Sequence, residues 1–101
     1  MATKVKTRIN SAKLEKAAYV LKAVAHPTRI NIIDLLDQQA ELSVTALSEL
    51  LDCEQSLLSH HLTNMRDKGI LAVRREGKNM FYSLTNKTIT KIISCINESG
   101  F

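Results

Sequence analysis

Cys53-Glu54-Gln55-Ser56-Leu57-Leu58-Ser59-His60-His61-Leu62-Thr63-Asn64-Met65-Arg66-Asp67-Lys68-Gly69 is the stretch whose reading decides the fold. It reads as one helix from about Glu54 to Lys68, with Gly69 as its C-terminal stop. At about 100° per residue, Gln55, Ser56, Ser59, His60, Thr63 and Arg66 fall in one arc, and each can donate a hydrogen bond. Leu58, Leu62 and Met65 fall on the opposite side, and His61 lies toward them as a packing residue. The polar arc carries no carboxylate apart from Asp67 at its margin. A solvated face usually mixes Glu with Lys, whereas Gln, Ser, His and Arg together suit base edges and phosphates.

The segments on either side give this helix its setting. Upstream, Ser43 is placed to cap a short helix running through Leu47, Leu50 and Leu51. Leu51-Asp52-Cys53 is then a tight turn between two helices, a helix-turn-helix pattern. Downstream, Leu71-Ala72-Val73-Arg74-Arg75 and Met80-Phe81-Tyr82-Ser83-Leu84 flank Glu76-Gly77-Lys78-Asn79, which reads as a hairpin. A helix-turn-helix followed by a basic hairpin is the winged-helix arrangement.

Two further helices precede this unit and one follows it. From about Asn10 to Ala25, Leu14, Ala17, Ala18, Leu21, Val24 and Ala25 share a face at helical spacing. His26-Pro27 interrupts, and Pro27 suits the first turn of a second helix carrying Ile30, Ile33 and Leu36. The span from Asp37 to Glu41 is expected to be a loop. The last helix, from about Asn86 to Glu98, carries the stripe Ile89, Ile92, Ile93 and Ile96. The fold expected is mainly α with a small β-hairpin, a winged helix-turn-helix in the order α-α-α-α-β-β-α. Residues 1–9 are expected to form a mobile basic arm, and residues 10–101 the winged helix-turn-helix DNA-binding and dimerisation domain. So small a domain leaves its first and last helices little core to cover. Leu14, Ala17, Ala18 and Leu21 are therefore expected to meet Ile89, Ile92, Ile93 and Ile96 across a homodimer.

Bulk composition agrees with one small domain. The 101 residues are 45% apolar with two Phe, two Tyr and no Trp, so the core must be aliphatic. The net charge of +4 favours an anionic partner. Its distribution says more: Arg66, Lys68, Arg74, Arg75 and Lys78 all follow the polar helix or lie near its end. Two cysteines are too few for a secreted disulfide framework, and no apolar run is long enough to span a membrane. The expected location is the cytoplasm. No nucleophile–base pairing, Gly-rich phosphate loop or metal triad points to an enzyme.

In order and spacing, four segments carry a resemblance: Leu21-Lys22-Ala23-Val24-Ala25-His26-Pro27-Thr28-Arg29-Ile30; Leu42-Ser43-Val44-Thr45-Ala46-Leu47; Gln55-Ser56-Leu57-Leu58-Ser59-His60-His61-Leu62; and Arg74 through Leu84. Over roughly residues 13 to 85 the chain resembles the ArsR-type (ArsR/SmtB) winged-helix repressors. The resemblance implies a homodimer joined by the first and last helices, with the Glu54–Lys68 helix in a major groove. It also implies a repressor, in many members released from DNA by a metal, metalloid or oxidant.

Roles follow for individual residues. Gln55 is the leading base reader, since its amide can meet adenine N6 and N7 with two bonds; Ser56, Ser59 and His60 follow on the same face. Thr45, in the first turn of its helix, is placed to hold a phosphate. Thr63 and Arg66 lie nearer the backbone, and Arg74, Arg75 and Lys78 would reach it from the wing. Arg75 could instead pair with Glu76. His26 marks a helix junction, and His60 and His61, about 100° apart, do not chelate one ion together.

The sensor is where the sequence departs from the family. Arsenic and cadmium members carry cysteines in the segment aligned with Leu42–Leu47, where this chain has Ser43 and Thr45, poor soft-metal ligands. Zinc and nickel members use Asp, His and Glu along the last helix, which here has no His or Asp. No metal and no other cofactor is therefore expected. Thiol chemistry remains, at Cys53 in the turn and at Cys95 beside the isoleucine stripe, as a persulfide or a Cys95–Cys95 bridge across the two-fold. Packing is the competing role for both. A winged helix can also serve as a protein-interaction module without specific DNA binding, a use that the basic reading face argues against.

Overall fold

The first three α-helices start where a side chain takes over an orphan backbone N–H. Asn10 accepts from the Lys13 N–H at 2.8 Å and opens α1, Ser11–Val24. His26 caps α2, Pro27–Gln38, through Nδ1, which accepts from the Thr28 N–H at 3.2 Å, with Pro27 in the first turn. Ser43 caps α3, Val44–Leu51, by accepting from the Ala46 N–H at 3.1 Å. In this computed structural model, which describes residues 5–100, α4 spans Gln55–Asp67 and α5 spans Lys91–Glu98.

The helix ends are equally specific. At the end of α3, Asp52 adopts the left-handed conformation with φ 49°. Its N–H bonds to the Glu49 carbonyl and that of Cys53 to the Ser48 carbonyl, the paired pattern of a Schellman turn. Gly69, with φ 80°, repeats this after α4: its N–H reaches the Arg66 carbonyl and that of Ile70 the Met65 carbonyl, each at 2.9 Å. The second turn drops Ile70 and Leu71 into the core.

Three antiparallel strands lie in the order β1-β3-β2. β2 is Leu71–Glu76 and β3 is Asn79–Leu84, so the hairpin runs one residue further on each side than the sequence pattern suggests. Gly77, with φ 62°, takes the first position of the two-residue turn, where that angle is required. β1 is a two-residue strand, Leu42–Ser43, pairing Leu42 with Tyr82 and Ser43 with Phe81. The expected loop is accordingly shorter, because α2 absorbs Asp37 and Gln38 and β1 follows Glu41 directly. The last helix begins as a 3₁₀ turn, Lys87–Thr90, capped by Asn86.

The core is aliphatic apart from Tyr82. Ile32, Ile33 and Leu36 from α2 meet Leu47 from α3, Leu58, Leu62 and Met65 from α4, and Leu71 from β2. Burying a side chain of this kind stabilises the fold by about 1.5–3 kcal/mol. The three from α4 together approach the about 5–15 kcal/mol that holds a whole domain folded. That helix therefore cannot lift off the core without unfolding the domain.

The outer helices divide their apolar residues between two uses. Ala23 and Val24 are buried and Val20 packs against the core, whereas Leu14, Ala17, Ala18 and Leu21 are exposed. Ala25, expected on the packed face, is exposed. The expectation that the last helix has little core of its own to cover is corrected: Ile89, Ile92 and Ile93 pack partly against this chain's core. Of the basic arm expected over residues 1–9, residues 1–4 lie outside the described residues, as does residue 101. Residues 5–9 are exposed and outside any helix or strand. No helix among the described residues is long and apolar enough to cross a membrane.

Candidate nucleic-acid interface

The polar arc of α4 is exposed in the folded chain. Gln55, Ser56, Ser59, His60, Thr63 and Arg66 are all exposed on α4, while Leu58, Leu62 and Met65 on its other side are fully buried. α3 packs against α4 across the Asp52–Glu54 turn, so the helix-turn-helix pair is held by shared core residues and not by the turn alone.

Two side chains on this face already have partners. The Ser56 hydroxyl donates to the Glu54 carboxylate just before the helix. Arg66 pairs with the neighbouring Asp67 at 3.1 Å. Glu54 is thus a carboxylate beside the N-terminal end of this polar face, in addition to Asp67 at its margin. A carboxylate in this position can accept from cytosine N4. Thr45 is exposed in the first turn of α3, with its N–H outside the intrahelical ladder.

The wing's charges are not equivalent. Arg74 holds Glu41 with a two-pronged fork, Nε to Oε2 at 3.0 Å and Nη2 to Oε1 at 2.8 Å. Its third prong reaches Glu76 at 2.7 Å, and its guanidinium lies 4.7 Å from the ring centroid of Phe81, its cross-strand partner. The Arg74 hydrogen bonds hold the Glu41 carboxyl below the usual carboxylate range and raise the guanidinium's own pKa further. The residue that pairs with Glu76 is therefore Arg74, not Arg75. Arg75 and Lys78 are exposed and carry no ion pair among the described residues.

His61 is packed, as its angular position implied, at 5% exposure. Its Nδ1 accepts from Arg29 Nε at 2.9 Å. Burial pushes its pKa down, and the electrostatic influence of Arg29, His26 and His60 pushes the same way. Arg29 and Asn64 were not singled out by sequence reasoning. Nothing in their spacing marks them, because the contacts span 32 and 35 residues.

The two thiols sit in different settings. Cys53 is half-buried against the core, with its Sγ 3.6 Å from the Glu54 carbonyl; Cys95 is exposed on α5. Among the described residues no three His, Cys, Asp or Glu side chains converge on a point that could hold a metal ion.

A buried-backed polar helix, a capped partner helix and a charged hairpin are the parts of one known architecture. The description "Bacterial regulatory protein, arsR family" matches residues 26–73. Transcriptional repressor PagR of Bacillus anthracis is 36% identical over 96% of this chain and 97% of its own length. The chain belongs to the ArsR family.

Solved structures agree in fold. The PagR crystal structure matches with a TM-score of 0.77, covering 87% of this chain and 100% of that one at 36% identity. HlyU from Vibrio cholerae matches with a TM-score of 0.79 at 34% identity, covering 87% of this chain and 95% of that one. A homodimeric winged helix-turn-helix DNA-binding domain from Mycobacterium bovis, a possible ArsR-family regulator, matches at 0.75 with 25% identity, covering 94% and 87%. The ArsR chain described here is thus a transcriptional regulator with a DNA-binding winged helix-turn-helix, and its family is not one of enzymes.

Proposed function

We propose that this regulator is a homodimeric repressor that binds an inverted-repeat operator with half-sites about one helical turn apart. α4 enters the major groove and presents Gln55, Ser56, Ser59 and His60 to base edges. Thr45, Thr63 and Arg66 meet the phosphate backbone, and Arg75 and Lys78 extend the contact from the wing. Arg74 braces the wing against Glu41. The observation that carries this reading is the contrast across α4: donors exposed on one side, Leu58, Leu62 and Met65 fully buried on the other.

The dimer is supported by exposed Leu14 and Leu21 on α1 (45% and 54%), which no solvated helix needs, and by the homodimeric relative. Leu21, Ala17 and Val20 line an apolar groove with Ile89, so the first and last helices offer one continuous face to a second copy. The protein acts where its DNA lies, in the cytoplasm.

The test is a titration of the chain's own upstream region against a scrambled duplex of equal length. Specific binding that Gln55→Ala weakens by about 1–3 kcal/mol, with relaxed preference at one base pair, is expected. Equal affinity for both duplexes would refute a sequence-specific repressor, and flat salt dependence would favour a protein-interaction module. Repeating the titration under oxidant, with wild type and with a Cys53→Ser, Cys95→Ser double variant, reads the thiols as a switch. Loss of binding that persists in the double variant would remove them from that role.

A further inference from the structure

The buried side of α4 has one polar interruption, His61, and one half-buried guanidinium meets it. Arg29 Nε donates to His61 Nδ1 at 2.9 Å, and Arg29 Nη1 donates to the Asn64 carbonyl oxygen Oδ1 at 2.8 Å and to the Ala23 main-chain carbonyl at 2.9 Å. A single planar group thereby joins the end of α1, the first turn of α2 and two α4 residues one turn apart. The His26 ring, at the α1–α2 junction, lies 4.5 Å from the His61 ring, centroid to centroid.

Apolar packing and this fork do different things. Leu58, Leu62 and Met65 hold α4 against the core, but hydrophobic contact is non-directional and tolerates small rolls and slides. A guanidinium with three bonds in one plane does not. Base reading needs side chains held to within about 0.5 Å, and a small roll of α4 would move Gln55, Ser56, Ser59 and His60 out of register together.

We propose that Arg29 is a positioning residue for base reading, which sets the roll of α4 through His61 and Asn64 and does so only while His61 is neutral. The inference rests on the reading of α4 as the base-reading helix. Because Nδ1 accepts a hydrogen bond, the ring proton sits on Nε2. A second proton would go to Nδ1, put N–H against N–H, and set an imidazolium beside the guanidinium. The groups that face the ring are Arg29 from α2, His26 from the junction and His60 from α4 itself; α1 contributes the Ala23 carbonyl to the guanidinium. No carboxylate among the described residues acts on the ring to offset that charge. Acid should therefore release the lock and degrade discrimination.

The test uses the full chain and the duplex it enriches from a randomised pool, with a scrambled duplex as reference. The readout is the ratio of the two affinities, because charge added away from the bases favours all duplexes alike, and whatever His60 adds to the acid response from the reading face is common to wild type and to a His61 variant. Arg29→Lys keeps the charge and loses the fork. It should lower the ratio by about tenfold or more, leave scrambled-duplex affinity within about twofold, and keep a cooperative unfolding transition. His61→Asn places Oδ1 where Nδ1 was and cannot be protonated. It should hold the neutral-pH ratio and remove the part of the wild-type fall below about pH 6.5 that His61 causes. An unchanged ratio in Arg29→Lys, or an acid response in His61→Asn as large as that of wild type, would overturn the proposal.

Nitrogen-15 NMR of the free protein supplies an arm independent of DNA. The expected His61 signature is a neutral ring protonated at Nε2 at neutral pH, with the Arg29 Nε and Asn64 side-chain resonances shifting on acidification in wild type but not in His61→Asn. A ring charged at neutral pH, or protonated at Nδ1, would overturn the lock. If the pool enriches no sequence, the base-reading function fails, and the NMR arm still decides the lock.

Discussion

On the proposed function, neutralising the wing should separate cations that touch DNA from a cation that holds the wing together. Arg75 and Lys78 are exposed and unpaired among the described residues, whereas Arg74 is held by Glu41 and Glu76 and lies against Phe81. Each phosphate neutralised by a protein cation adds about 0.9 to the slope of log affinity against log salt. A dimer presents two wings, so Arg75→Gln should flatten the slope by about 1.8. Between about 50 and 200 mM salt, that change amounts to an affinity loss about twelvefold smaller than in wild type. Combining it with Lys78→Gln should double the change in slope, to about 3.6. Arg74→Gln should flatten it by less than half as much as Arg75→Gln, because the charge removed is already paired. Fluorescence anisotropy across this salt range, on operator and scrambled duplex, measures all three. The partition of wing charges would be refuted by an unchanged slope in Arg75→Gln, or by a change in Arg74→Gln as large as in Arg75→Gln.

Two further outcomes are expected. Leu21→Glu puts a charge on the exposed apolar face of α1 while leaving the buried Ala23 and Val24 in place. It should give a folded monomer by sedimentation equilibrium and lower operator affinity by about 10²–10⁴, the avidity of two linked half-sites; a dimer of wild-type strength would move the interface elsewhere. His61 gives a pH dependence of stability. Its folded pKa lies below the ordinary value of 6.5, so below about that pH the unfolded chain binds more protons than the folded one. Stability should fall as pH drops from 6.5 through the folded pKa, and be fully present above. Urea unfolding at two pH values, with His61→Asn flattening the difference, measures it.

Much of the architecture was legible because its determinants are local. Ser43 caps α3, His26-Pro27 starts α2 and Gly69 ends α4, each through groups within a few residues of one another. The unlike faces of α4 follow from helical period alone, and so does the burial of His61. Less was legible at the edges. The strand Leu42–Ser43 is too short to leave a periodic signal and exists because β3 offers it an edge to pair with. By spacing alone the isoleucine stripe of the last helix is surplus to one small core; packing draws Ile89, Ile92 and Ile93 partly into that core.

Sequence by itself determined which face of α4 is polar, that a basic hairpin follows it, and that the core is aliphatic. Those properties are set by residue type and spacing along the chain. Only the tertiary structure decided which of two adjacent wing arginines is free, since the answer lies with Glu41, 33 residues before Arg74. It likewise decided that Arg29 bonds to His61 and Asn64, across 32 and 35 residues. A hydrogen-bonding fork finds its partner by packing, and packing brings together residues that no local pattern connects.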